Sequence, residues 1–353
     1  MLYRMMLVLL LLLASGFILC SYFISDYYLN NSLAVMTDPI YSVQVKEHFY
    51  KPTQTFSLNH CCTQLGNQLF RVISGYGIGR MINRTHIFRL NIDCYDSNIR
   101  HLNTMKRIFP NISSIIQTDD RYLISNNSVT LEFANYHGRV VCCHFEDPTW
   151  RLANRTEDHL DLNTTYVQNT FYFERYLPEL MELLEFSQDV VERGNEIIKE
   201  WNIDEDDNFA CMHIRRRDHP GKVEYKFAVA GLHYLVDKEK TRNIILFGDD
   251  KQFMKNLSQI IYIEEKFKRA KIIVNQNKRP GEDFYISSKL CSSFLMTVPE
   301  STFGWFLAFF SKRNDHVYYD HEMLTWKGGY SGFHRYMWKP ITWDKSKRRL
   351  IRV

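Results

Sequence analysis

Apolar and polar positions alternate in blocks through the second half of the chain. Phe209 to Ile214 is a short run of apolar residues with β-branched and aromatic members, which reads as a buried strand. Similar runs recur at Asn243 to Phe247, Ala270 to Val274, Phe294 to Val298 and His316 to Tyr319. Helical patterns separate them: Tyr225 to Asp237, Lys251 to Ile261, Pro280 to Leu290, and Phe303 to Phe310 behind a Ser301-Thr302 cap. This alternation predicts a parallel sheet with right-handed crossovers. The first half is less regular. Short strands are expected at Thr85 to Leu90 and Arg139 to Cys143, and Leu180, Leu183, Leu184, Val190, Val191, Ile197, Ile198 and Trp201 predict one long amphipathic helix over 178–201. Asp204-Glu205-Asp206-Asp207 is a hydrophilic linker and places a domain boundary, with an N-terminal lobe at 56–207 and a C-terminal lobe at 208–353.

Residues Met5 to Ile24 form an almost unbroken apolar run, preceded by Arg4 and followed by Asp26. Its length suits a bilayer-spanning helix, and the flanking charge favours a cytoplasmic tail at 1–4. A cleaved signal peptide is the competing reading, because Ala14-Ser15-Gly16 is small; the run continues past it, favouring an uncleaved anchor. Either choice sends the rest into the secretory pathway. Residues 25–55 then read as a stem. Asn30, Asn83, Asn111, Asn126, Asn154, Asn163 and Asn256 each head an Asn-X-Ser/Thr triplet beyond the run. Eight cysteines fit an oxidising lumen. Without Cys20 in the anchor, Cys61, Cys62, Cys94, Cys142, Cys143, Cys211 and Cys291 remain, an odd set whose pairing the sequence does not give. No Cys or His spacing suits zinc, so no metal is assigned.

With 45% hydrophobic residues the chain can bury a substantial core, and a net charge of +4 is too small to imply nucleic-acid binding. The basic tail from Lys345 to Arg352 reads as a solvated terminus. The charges that matter sit at strand ends. Arg215-Arg216-Arg217-Asp218 follows the first strand and runs into the turn His219-Pro220-Gly221. Ligands of open α/β sheets bind outside the carboxyl ends of the strands, and a guanidinium there grips phosphate bidentately. His213 shares a strand face with Arg215 and is read as supporting it. Asp249 and Asp250 follow the second strand, Asp283 opens a helix, and Ser301 and Thr302 follow the fourth strand; each is either a ligand contact or a helix cap. In the first half, Gly66-Asn67-Gln68 precedes a helix. Gly66 permits close backbone approach, and the two amides can cap the helix and face a ligand.

The run His213-Ile214-Arg215-Arg216-Arg217-Asp218 resembles the His-X-Arg-Arg-X-Asp motif of the α-1,2-fucosyltransferases. Ile245-Leu246-Phe247-Gly248-Asp249-Asp250 looks like the second block of that family, and Asp283 to Cys291 with Ser301-Thr302-Phe303-Gly304-Trp305 like the third. Gly66-Asn67-Gln68-Leu69-Phe70 matches as well, so the blocks fall in order over most of the chain after the stem. The sequence departs from the family at Arg217 and His219, where Gly and an aromatic are usual, and at Phe306, where a second Trp is common. The resemblance implies an α/β fold of the GT-B type, with two Rossmann-like lobes and a cleft between them, behind the N-terminal transmembrane helix. It also implies GDP-β-L-fucose as donor, inversion to an α-linked fucoside on a β-galactoside, and no metal or other cofactor. Golgi residence is expected as well, the uncleaved anchor gives a type II topology, and the acceptor glycan is left open, whether on a glycoprotein, a glycolipid or a modified core. The Asp-X-Asp within Asp204 to Asp207 precedes a strand instead of following one, which excludes it as a metal site.

Breaking the donor's anomeric bond puts charge on the β-phosphate, and without a metal that charge needs preorganised cations. Arg215 is expected to contact it first and Arg216 second, with His213, Asp218, Asp249, Asp250, Asp283, Ser301 and Thr302 around the donor. In related α-1,6 enzymes a Glu beyond the same motif is the base; Glu224 stands one residue out of step with it. Two rival classes remain, an inactive glycan-binding relative and a transferase for another nucleotide-sugar or for sulfate.

Overall fold

The computed structural model describes residues 53–353 except 60–62, 91–93, 119–126, 136–142, 165, 204–206, 218–222, 242, 322–331 and 345–348. The expected tail, anchor and most of the stem lie outside these residues, as do Asn30, Asn126, Asp218, His219 and nearly all of the expected strand Arg139 to Cys143. Among the described residues no helix is long and apolar enough to cross a membrane.

The first half contains β1 (Thr55–Asn59), α1 (Leu65–Ile82), β2 (Thr85–Ile87), α2 (Tyr95–Ile108), β3 (Ser128–Glu132), α3 (Pro148–Arg151), β4 (His159–Asn163), α4 (Leu177–Leu183) and α5 (Gln188–Glu200). The second contains β5 (Phe209–Ile214), α6 (Tyr225–Glu239), β6 (Asn243–Gly248), α7 (Lys251–Tyr262), β7 (Ile272–Val274), α8 (Pro280–Leu290), β8 (Cys291–Met296), α9 (Thr302–Phe310), β9 (Val317–Asp320), β10 (Lys339–Asp344) and β11 (Arg349–Arg352). The fold is α/β with parallel sheets. The first sheet has the order β2-β1-β4-β3, every pair parallel. The second has the order β11-β10-β9-β8-β5-β6-β7 and is parallel apart from the β10–β11 pair. From β5 the chain proceeds outward through β6 and β7, then returns to β8 on the other side of β5. The gap between the carboxyl ends of β5 and β8 is therefore the topological switch point, where open α/β sheets bind ligands.

Every residue of β5 is buried, as a central strand covered on both faces requires. Cys211 on β5 is disulfide-bonded to Cys291 at the start of β8, with Cα atoms 5.5 Å apart; Cys94 and Cys143 are each disulfide-bonded as well, to partners outside the described residues. The two sheets are joined through helices. Phe70 of α1 packs between Trp305 and Phe306 of α9, with ring centroids at 4.7 and 5.1 Å.

Two expectations are corrected. The helix over 178–201 is two helices, because Ser187 takes an extended conformation and its hydroxyl accepts the Val190 N–H, starting α5 afresh. The basic tail is not simply a solvated terminus: Arg349–Arg352 forms the edge strand β11, paired antiparallel with β10. Of the described sequons, Asn83, Asn111, Asn154 and Asn256 are exposed. Asn163 ends a central strand, half-buried, and its side-chain amide donates to Glu132 at 2.5 Å.

Candidate functional site

The chain leaves β5 through a turn organised by one carboxylate. Asp249, directly after β6, accepts the main-chain N–H of Arg216 at 2.9 Å and of Arg217 at 3.2 Å. It also pairs with Arg215 Nη1 at 3.1 Å. Successive amides converging on one anion form a nest, and here a side chain of the protein fills it. Arg215 Nη2 reaches across to Gln64 Oε1, 3.2 Å away, so its guanidinium links the end of β5 to the N-cap of α1.

Arg216 is differently placed. Its Nε donates to Asp250 at 3.1 Å, Nη1 donates to the Val223 carbonyl, and the guanidinium lies 4.1 Å over the Phe253 ring. These contacts make Arg216 a fixture of the turn, whereas Arg215 spans from Asp249 to Gln64. Asp250 also caps α7 by accepting the Phe253 N–H at 3.0 Å. That amide first, and Arg216 second, hold its carboxyl below the usual range.

Two helix N-termini meet beside Arg215. A Cβ on Gly66 would stand 2.6 Å from Thr302 Oγ1 and 2.8 Å from the Phe303 nitrogen, so only glycine lets α1 approach α9 this closely. Ser301 is the N-cap of α9, its hydroxyl accepting the Gly304 N–H at 3.3 Å. His213 packs against the same turn, because Gly304 has no side chain to exclude its ring. It is 2% exposed and its Nδ1 has no hydrogen-bond partner among the described residues. Burial, then the nearby Arg215 charge, push its pKa down to about 3, so it stays neutral.

A second polar cluster lies at the carboxyl ends of β6 and β7. Lys251 Nζ donates to the Asn275 carbonyl at 2.6 Å. Asp283 Oδ1 accepts from the side chains of Asn275 at 2.6 Å and Asn277 at 2.9 Å. Burial drives the Asp283 pKa up to about 7 against those bonds and the Lys251 charge, and burial draws Lys251 down.

The structure thus brings His213, Arg215, Arg216, Asp249, Asp250, Ser301, Thr302 and Gly66 together, with Asp283, in the first turn of α8, facing the adjoining end of β7. The expectation that Asn67 and Gln68 cap α1 is corrected. Gln64 is its N-cap and no side chain caps it. Gln68 is buried and donates to Thr63 and Asn98, each at 3.2 Å, while Asn67 Oδ1 accepts from Gln168 at 2.9 Å. Glu224 is exposed at the N-cap of α6 and makes no capping bond. Sequence reading missed Gln64, Lys251, Asn275 and Asn277. Asn275 and Asn277 follow a strand as Arg215 does, so the same strand-end rule would have found them. Among the described residues no group of His, Cys, Asp and Glu could hold a metal ion.

A parallel-sheet α/β protein with a guanidinium at its switch point belongs, by geometry, to the class that receives anionic ligands there. No family model matches the chain. It is 30% identical over 267 residues to a putative galactoside 2-alpha-L-fucosyltransferase of Caenorhabditis elegans, covering 73% of this chain and 69% of that one. A galactoside 2-alpha-L-fucosyltransferase of the same organism is 28% identical over 314 residues, covering 81% and 75%. Among solved structures, a fucosyltransferase from Bradyrhizobium is similar with a TM-score of 0.48 at 13% identity, covering 85% of this chain and 98% of that one. The chain belongs to the galactoside α-1,2-fucosyltransferase family, and is a fucosyltransferase.

Proposed function

We propose that the chain is a Golgi enzyme that moves L-fucose from GDP-β-L-fucose to the 2-hydroxyl of a terminal β-galactoside, inverting the anomeric carbon without a metal. The acceptor is carried on a glycoprotein or glycolipid, and residues 5–24 anchor the enzyme as a single-pass type II protein with its catalytic body in the lumen. One observation carries the reading. Arg215 is held by Asp249 and Gln64 at the end of β5, where the N-termini of α1 and α9 meet.

In this reading the departing β-phosphate gains charge as the C1–O bond breaks, and Arg215 supplies the cationic donors. The Ser301 hydroxyl is spent on its own helix, so the further donors there are main-chain N–H groups at the start of α9. His213, buried and neutral, packs beneath them without adding charge. Asp283, when ionised, accepts N–H groups from the guanine edge, with Lys251 beside it. Glu224 takes the acceptor proton as it leaves. Family membership supports fucosyl transfer; the acceptor, the stereochemistry and the cellular location belong to the proposal.

The test is donor competition among GDP-fucose, GDP-mannose, UDP-galactose and phosphoadenosine-phosphosulfate, with the product's anomeric configuration read by NMR. GDP-fucose is expected to win and the product to be the α-fucoside; preference for another donor ends the reading. Arg215→Ala should lose about 10²–10³ in turnover while the protein stays folded. Near-normal transfer by a folded Arg215→Ala protein would remove the assignment. Glu224→Gln should abolish the acidic limb of the pH–rate profile, and a variant of full activity with the wild-type profile would exclude Glu224 as base.

A further inference from the structure

Two aromatic side chains stand in solvent on segments bonded to each other. Phe171 is 53% exposed and Tyr336 is 69% exposed. Scattered exposed aromatics mean little, but the backbone beside these two is pinned. The Thr170 N–H donates to the Gly332 carbonyl at 2.7 Å. Arg335 grips Glu174 with Nε at 3.1 Å and Nη2 at 2.8 Å, and is itself 5% exposed. A Cβ on Gly332 would collide with the Asn169 side chain, 2.5 Å away, and its positive φ also favours glycine.

The same pair of segments abuts the site. Gln168, three positions before Phe171, donates to Asn67 in the first turn of α1 at 2.9 Å. His334, two before Tyr336, is bonded to the Pro299 carbonyl at 2.9 Å, just ahead of the cap of α9, and stacks on Tyr319. From the helix N-termini beside Arg215, the surface therefore continues into rigid backbone that presents two rings to water.

We infer that Phe171 and Tyr336 form the acceptor platform, stacking on the apolar face of a terminal β-galactoside whose reacting hydroxyl points at the donor. The inference rests on the proposed function and adds where the acceptor lies. A galactopyranose in the β-anomer gathers C–H groups on one face and hydroxyls on its edges. An exposed ring covers that face while leaving the hydroxyls hydrated, and rigid aromatic side chains lose little entropy in doing so. The ties through Arg335–Glu174 and Thr170–Gly332 set the rings before the sugar arrives, which lowers the ordering cost of binding.

The test is steady-state kinetics with GDP-fucose and lactose on wild type, Phe171→Ala, Tyr336→Ala and Tyr262→Ala. Tyr262 is a control, 62% exposed at the far end of α7, on the opposite edge of the sheet from the strand carboxyl ends. Both platform variants should raise the lactose KM about tenfold. The KM for GDP-fucose, its hydrolysis to water and the melting temperature should stay within about twofold or a few degrees of wild type, and Tyr262→Ala should change none of them. An unchanged lactose KM in both variants, or an equal rise for donor and acceptor, overturns the inference. Failure of the underlying reading looks different, as wild type that neither binds GDP nor hydrolyses GDP-fucose. The platform is then judged by titrating lactose onto wild type and variants by NMR, where equal affinities refute it.

Discussion

In the proposed reaction Asp249 acts on the donor through the groups it holds, without touching it. A carboxylate repels phosphate, so its value lies in the Arg216 and Arg217 amides and the Arg215 guanidinium that it holds. Hydrogen bonds to a charged group contribute about 1.5–3 kcal/mol, so Asp249→Asn should lower kcat/KM for GDP-fucose roughly ten- to a hundredfold. If the residue works through Arg215, that loss should nearly vanish when measured in an Arg215→Ala background. Four kcat/KM values close the cycle, and fully additive losses would show that Asp249 acts elsewhere. A gain in GDP affinity on Asp249→Asn would mean instead that the carboxylate competes with the phosphate for the nest.

The contact between α1 and α9 is the corresponding feature among elements. Gly66→Ala places a methyl group against Thr302 and the Phe303 nitrogen, and relieving such overpacking costs about 1–3 kcal/mol. The variant should melt several degrees lower and bind GDP more weakly, because the two N-termini must separate; unchanged melting and GDP titration would show that they do not press together. This contact was half legible in the sequence, since Gly66 announces a close approach without naming its partner. The strands of the second sheet were legible because β5 and its neighbours are covered on both faces and read as apolar runs. Of the first sheet only β2 was legible, within the strand expected at Thr85 to Leu90. Thr55 and Ser57 of β1 point at His159 of β4, at 2.9 and 3.1 Å, and polar side chains satisfied against one another leave no apolar signature. Arg215 could be singled out because it follows a strand, whereas Gln64 contributes only through a bond to a distant part of the chain.

Over the whole molecule, buried titratable groups oppose one another in their effect on stability. His86 and His213 have pKa values near 3 and His334 near 4, each lowered chiefly by burial. In the unfolded chain they protonate near about 6.5, so their contribution is present above that pH and is lost as pH falls towards 4 and 3. Asp283 runs the other way. Its native pKa is about 7, against about 3.9 unfolded, so its contribution is complete below about 4 and is lost as pH rises through 7. Asp283→Asn keeps an oxygen to accept from Asn275 and Asn277 and removes only the titration. Its melting temperature relative to wild type should therefore climb as pH rises from about 4 to 7 and level off by about 8. The same substitution should weaken GDP binding above pH 7, where the ionised wild-type carboxylate is proposed to accept from the guanine edge. Melting curves that run parallel across this range would mean that Asp283 is ionised throughout. A stabilised variant with unimpaired GDP affinity would leave the buried acid without a part in recognition.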